Sequence, residues 1–350
     1  MNVTSNRWKQ RPPGSNWGDF GPDDQRGRMN WVTREKVLQG VAEVKEGVTF
    51  CLSLPLDYPG GTALNPRRNP PRQFATLRAG KQNFCYQLAD DNPAYTDVVC
   101  DDLVLLTLQY STQWDSFAHI GSRFDADADG KPEIVFYNGF RAGEHIKPAP
   151  ENPNAESWAK YEGPRAEALG IQNLAEHGVQ GRGVLIDLHA HFGRKRHAVT
   201  HDELMRVLDA DKVVVEKGDM VCLYTGFADV ILELRKNPDP HLLHNTCTGL
   251  DGRDDRLLQW ISDSGLSALI ADNFAVEIIP TSPFKPMAHA ALPLHEHCIF
   301  KNGIHLGEIW YLTELARWLR EHGRNRFLLT APPLRLPGAV GSPATPVATV

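Results

Sequence analysis

The chain has no Cys-x-x-Cys pair, no basic block and no long apolar run. Its six cysteines, Cys51, Cys85, Cys100, Cys222, Cys247 and Cys298, are scattered, which excludes a zinc knuckle or a dense disulfide frame. Cys51 and Cys222 lie inside apolar, strand-like runs, so the set is expected to be buried free thiols in a reducing compartment. No segment approaches the ~18 apolar residues of a membrane span, and Met1 to Gly14 lacks the apolar stretch of a signal peptide. A cytoplasmic soluble protein is expected. A formal charge of −6 without a basic cluster argues against nucleic acid and anionic membranes and leaves small molecules as partners. No Gly-x-Gly-x-x-Gly or Gly-x-x-x-x-Gly-Lys-[Ser/Thr] loop follows a strand, so no nucleotide cofactor is expected. No Gly-x-Ser-x-Gly elbow occurs either. Ser262-x-Ser264-Gly265 lies at a helix end, and a serine nucleophile has no support.

What is present is ordinary for a globular enzyme: 350 residues, 41% apolar and 23% charged, enough for one large domain or two smaller ones. Thr33 precedes a helical pattern with Val37, Leu38, Val41 and Val44 on one face, and Thr49–Leu54 reads as a strand. Residues 57–80, rich in proline and glycine, read as a long loop that could cover a site. From Val184 strands and helices alternate: strand Val184–Leu188, a helix from His201 with a capping box at Thr200 and Glu203, strand Met220–Leu223, and helix Ala228–Lys236. Helix Asp254–Ser262, strands Ala268–Ala271 and Val276–Ile279, and helix Ile309–His322 follow. Such alternation indicates an α/β layer arrangement. Residues 1–16 read as an arm, 17–330 as the catalytic domain and 331–350 as a flexible tail, because neither end shows apolar periodicity.

The most informative stretch is Gln109-Tyr110-Ser111-Thr112-Gln113-Trp114-Asp115-Ser116-Phe117-Ala118-His119. It follows Leu103–Leu108, an apolar run that reads as a buried strand. Asp115 and His119 stand four apart with Trp114 and Phe117 between them, so a carboxylate and a titratable base can share a partly desolvated pocket. That arrangement suits a general base. Asp125-x-Asp127-x-Asp129-Gly130 matches the opening of a calcium loop, yet Phe136 stands where a bidentate carboxylate is required, and a solvated acidic turn is the better reading. His189-x-His191 is read as an edge-strand pair facing one way. Asn138 and Asn273 sit in turns where α/β proteins place ligand groups, and are candidates for substrate contact or for turn satisfaction.

The order of these residues resembles the signature His-x-Gly-Thr-His-x-Asp-x-Pro-x-His of the cyclase family that includes bacterial kynurenine formamidases and isatin hydrolase. Thr112, Asp115 and His119 match it. Gln109 and Gln113 stand where the family has its two histidines, Ser111 replaces the glycine and Phe117 the proline. Asn16-Trp17-Gly18 with Asp23-Asp24-Gln25-x-Gly27-x-Met29-Asn30, Lys217 to Gly226, and Gly303-Ile304-x-x-x-Glu308 resemble further family signatures.

The resemblance implies a swivelling β/β/α fold with a mixed β-sheet flanked by helices, usually oligomeric, hydrolysing amide or lactone bonds with bound metal. It makes Asp115 and Glu308 candidate ligands and His119 the candidate acid/base. His295, chosen over His297, becomes the downstream ligand. Carboxamides are weak, hard donors, so Gln109 and Gln113 would favour manganese or magnesium over zinc if they ligate. Without metal they would bind the substrate carbonyl or position water. Gln109, Gln113, Trp114, Asn138 and Asn273 are the expected substrate contacts. The expected activity is hydrolysis of a cyclic amide, lactone or aryl formamide. The alternatives are a metal-free lyase or cyclase, and a non-catalytic small-molecule binder. A homo-oligomer, dimer or tetramer, is expected, with the arm from Trp8 to Trp17 covering its indoles on a neighbour.

Overall fold

The computed structural model describes residues 7–148, 163, 165–280 and 289–350. A mixed nine-stranded sheet organises them, in the order Thr49–Cys51, Val347–Thr349, Arg326–Thr330, Gln180–Asp187, Met220–Tyr224, Ala268–Ala271, His305–Glu308, Gln113–Asp115 and Gly341–Pro343. The four strands from Gln180–Asp187 to His305–Glu308 are parallel, and the flanking ones antiparallel. This is the mixed sheet flanked by helices expected of the fold. The central strands are buried on both faces, which explains their near-continuous apolar sequence. Alternation divides Val184 and Ile186 from Leu185. The first two face the layer with helices His201–Ala210 and Asp255–Asp263, and Leu185 faces the layer containing Leu315 and Leu319 of Thr313–Glu321. The capping box at Thr200 and Glu203 forms as expected. No helix among the described residues is long and apolar enough to cross a membrane.

Several sequence motifs prove to be structural. Asp219, fully buried, accepts from Lys36 Nζ at 3.0 Å, from Arg182 Nε and Nη2 at 2.8 and 2.9 Å, and from the Glu216 amide at 2.7 Å. It ties the first helix to the sheet. Asp272 accepts from the amides of Thr225, Gly226 and Phe227 and so holds the turn that ends the Lys217–Gly226 stretch. Burial lifts its pKa to about 7 despite these donors. Gly27 adopts φ +54°, and a Cβ there would lie 2.1 Å from the Gly303 carbonyl oxygen. Only glycine permits that approach.

Four expectations fail. Leu103–Leu108 is not a buried strand: among the described residues, Asp102–Leu105 pairs only with Arg72–Ala75 in an outlying ribbon, and its residues are exposed. With no layer packed on it, an apolar run has nothing to be buried against. The carboxy-terminal residues are not a loose tail, since Gly341–Pro343 and Val347–Thr349 are strands of the main sheet and Ala348 and Val350 are fully buried. Three-residue strands are too short to show periodicity. Trp17 donates Nε1–H to the Phe300 carbonyl at 2.8 Å and packs edge-on against Phe300 and Trp8. The indoles are therefore covered by their own chain, which removes the reason for expecting a neighbour over them. Finally, Cys51, Cys85 and Cys100 are exposed, whereas Cys222, Cys247 and Cys298 are buried.

Two smaller readings change as well. His189 and His191 lie on the helix Leu188–Phe192, capped by Asp187, and do not share a strand face. Residues 276–279 form only an isolated bridge, Leu250 with Glu277.

Removing the Asp219 carboxylate would leave the buried Lys36 and Arg182 with only the half-exposed Glu216 carboxylate between them. Asp219→Ala is expected to lower unfolding free energy by about 3–5 kcal/mol, measured by urea denaturation against the unaltered protein.

Candidate active site

The site forms where the Gln113–Asp115 and His305–Glu308 strands pair antiparallel. Glu308 lies directly opposite Gln113, so their side chains meet on one face, and the two-residue strand period adds Asp115 to that face. Gln113 Nε2 donates to Glu308 Oε2 at 3.1 Å and to Asp115 Oδ1 at 3.3 Å. Trp114 points the other way into the core, where it packs on Trp310 and donates to the Ala331 carbonyl at 2.7 Å. It cannot be the substrate contact that was expected, because alternation turns it from the site.

His295 arrives from the short helix Pro293–His295, which runs on into a π-helical turn, Glu296–Lys301. Its Nδ1 lies 2.8 Å from Glu277 Oε1 and its Nε2 3.2 Å from Glu308 Oε1. Glu277 also accepts the amides of Leu294 and His295 at 3.1 Å each. Burial alone would lower the pKa of His295. The hydrogen bonds to Glu277 and Glu308 outweigh it and lift the value to about 10. Burial opposes ionisation of Glu308 too, but the His295 contact wins and holds its carboxyl below the usual range. Asp115 goes the other way: burial raises it, with His119 pulling against that rise.

His119 follows Asp115 by one tight turn, its amide donating to the Ser116 carbonyl at 3.0 Å. Its Nε2 lies 3.9 Å from Asp115 Oδ1, close enough for charge attraction and too far for a hydrogen bond. The ring is one-fifth exposed and lines a cavity of about 580 Å³ together with Arg68, Gln109, Phe274, His295 and Glu308. Behind it, His305 stacks on Phe117 and lies 2.8 Å from the Asp115 carbonyl through Nδ1. Burial pushes its pKa down to about 4, which keeps it neutral.

Asp115, His295 and Glu308 can each offer a ligand atom within 4.8 Å of the others. Asp115 Oδ2 is buried with no hydrogen-bond partner. Two carboxylates and an imidazole backed by Glu277 suit a divalent cation, since the backing carboxylate orients the ring. The residues therefore fit a metal. Gln113 does not join as a ligand in this arrangement: the two carboxylates draw its amide nitrogen, and its oxygen accepts from Arg68 at 3.3 Å. Gln109 lies against Gly341, where a Cβ would meet its Nε2 at 2.4 Å.

His297 turns to Ser262 Oγ at 2.9 Å and stays outside the site. Asn138 is buried, accepting from the Gly18 amide and donating to the carbonyls of Gly21, Pro22 and Asp24. It clamps the amino-terminal segment, and no substrate role is open to a side chain so spent. Asn273 is likewise buried and donates to the Thr248 carbonyl at 3.0 Å, away from the main cavity. Asp125 accepts the amides of Asp129 and Gly130 in the expected acidic turn. Two residues at the site escaped sequence reasoning, Glu277 and Arg68. Arg68 stands in the 57–80 segment, which is a loop only as far as the strand Arg72–Ala75, and its charge beside the loop prolines is the available signal. Nothing local marks Glu277.

Residues 52–278 match the family model described as "Putative cyclase". The chain is similar to a solved structure described as a novel cyclase, with 30% identity over 97% of this chain and 100% of that one and a TM-score of 0.72. It is also similar to isatin hydrolase A from Labrenzia aggregata bound to benzyl benzoate, at 12% identity, 90% and 97% coverage and a TM-score of 0.54. An isatin hydrolase bound to the product analogue thioisatinate gives 13% identity, 91% and 99% coverage and a TM-score of 0.52. At these last two identities the shared property is the fold. No curated protein matches the chain.

The raised His295 pKa has a signed consequence. Its folded value of about 10 lies above the ordinary 6.5, so protonation stabilises the fold fully below about pH 6.5, and that contribution is lost as pH rises toward 10. In metal-free protein, the stability advantage over His295→Gln should shrink steadily across this window. Urea denaturation of both proteins at a series of pH values would measure it.

Proposed function

The chain belongs to the cyclase family, and from that membership we propose that it hydrolyses a cyclic amide, lactone or aryl formamide, with water as nucleophile and His119 as general acid/base. The observation that carries this reading is the position of His119, on the cavity wall and 3.9 Å from the buried Asp115 carboxylate. An imidazole there can take a proton from water in the open cavity and return it to the leaving nitrogen or oxygen. Asp115 stabilises the imidazolium between those transfers by charge attraction at short range in a poorly solvated setting. Gln109, half-buried on the same wall, has an amide able to hydrogen-bond a substrate carbonyl.

Asp115, His295 and Glu308 would hold a divalent cation, which would supply Lewis acidity for the water and the carbonyl. Two hard oxygen donors to one nitrogen favour manganese over zinc. A rival reading, a metal-free lyase on the same scaffold, has one observation in its favour. Arg68 Nη1 lies 3.9 Å from Glu308 Oε2 and places a fixed cation beside these carboxylates.

Two measurements test the proposal. His119→Asn is expected to reduce turnover on a panel of lactones and formanilides by ~10²–10⁴-fold with an unchanged circular dichroism spectrum; near-normal turnover removes the acid/base assignment. Dialysis against a chelator should abolish activity, and manganese should restore it better than zinc. Full hydrolysis of the panel by demonstrably metal-free protein would remove the metal from the mechanism, and a metal-free protein without hydrolysis would leave the lyase.

A further inference from the structure

Arg68 enters the cavity wall with only one of its nitrogens engaged. Nη1 donates to the Gln109 carbonyl at 2.7 Å and to Gln113 Oε1 at 3.3 Å. The approach of Nη1 to Glu308 Oε2, at 3.9 Å, is too long for a hydrogen bond. Among the described residues, Nε and Nη2 donate to nothing and both keep contact with solvent, and Arg68 is one of the residues lining the cavity. These two nitrogens form the side-on edge of the guanidinium, whose paired N–H groups match the two oxygens of a carboxylate. The anchoring through Nη1 holds the plane of the group, so that edge is presented in a set orientation. A charged donor pair on a cavity wall is met by water or by an anion.

The rest of the cavity suits an apolar body next to that anion. Ile120, Phe274, Ile279 and Leu292 line it, with His119 on the same wall system. One guanidinium edge offers two donors, which suits a planar monoanion better than a phosphate with three oxygens to satisfy. We propose that the substrate carries a carboxylate that pairs side-on with Nε and Nη2 of Arg68, while its aryl or alkyl body lies against Phe274 and Leu292 and its scissile carbonyl is turned to His119. The position of the scissile bond rests on the hydrolytic reading above. The carboxylate subsite does not.

Isothermal titration of the intact protein with phenylacetate and with phenylacetamide tests the subsite by binding alone. Phenylacetate should bind at least about tenfold more tightly than the neutral amide, the size of a hydrogen-bonded charge pair. Arg68→Gln should abolish that preference without changing the affinity for phenylacetamide, and Arg68→Lys should keep part of it, because a lysine retains charge and loses the paired geometry. Thermal melts of both variants establish that they fold. His119→Asn should bind phenylacetate like the unaltered protein. If it does so while no compound of the lactone and formanilide panel is hydrolysed by the unaltered protein, the hydrolytic reading fails and the subsite stands. Equal affinity for the two compounds, no measurable phenylacetate binding at millimolar concentration, or a folded Arg68→Gln protein that retains the preference would each overturn the proposal.

Discussion

His295 lies between two carboxylates, 2.8 Å from Glu277 and 3.2 Å from Glu308, and the remainder of the site is arranged around the charge of that contact. Glu277, Glu308 and Asp115 are all nearly excluded from water. Three such groups cannot stay ionised together without compensating donors or cations. The protein supplies the His295 imidazole, the Gln113 amide and the backbone amides of Leu294 and His295. Among the described residues, Asp115 Oδ2 is the one carboxylate oxygen of the cluster left without a donor. It is the place where the cluster remains open to a cation.

Gln113 acquires a meaning from this balance. An imidazole at position 113 would bring a ring nitrogen toward the carboxylates, whereas the carboxamide brings N–H donors and directs its oxygen to Arg68. Replacing a ligand type with a donor thus links the carboxylate cluster to a guanidinium and extends the site toward the cavity mouth. The sheet makes the arrangement stiff. Glu308 and Gln113 are cross-strand partners, while Trp114 on the reverse face is locked between Trp310 and the Ala331 carbonyl. Backbone pairing on one side and aromatic packing on the other leave little freedom for the side chains between them.

Much of the scaffold could be read from local pattern. Most of the alternating strands and helices after Val184 and the capping box at Thr200 appear in the structure near where expected, whereas 276–279 forms no strand and the last helix begins at Thr313 behind the strand His305–Glu308. The errors share one cause. Leu103–Leu105 is apolar without being buried, and Ala348 and Val350 are buried without a readable pattern, because burial depends on what packs against a segment. Asn138 and Asn273 read as ligand groups because turn positions permit that role; the backbone occupies the Asn138 amide, whereas Asn273 gives its Nδ2 to the Thr248 carbonyl and keeps a buried Oδ1 without a partner among the described residues.

For the site, motif order placed Asp115, His119 and Glu308 among the candidates, since residues four apart, or in a spaced signature, carry their information along the chain. Their assembly is of another kind. Gln113 and Glu308 are 195 positions apart, and the choice of His295 over His297 came down to which imidazole a short helix aims at Glu277. Glu277 and Arg68 had no motif to announce them. They belong to the site because parallel strands, an antiparallel strand and a loop bring distant charges together, and the low dielectric of the interior then makes each charge require the others.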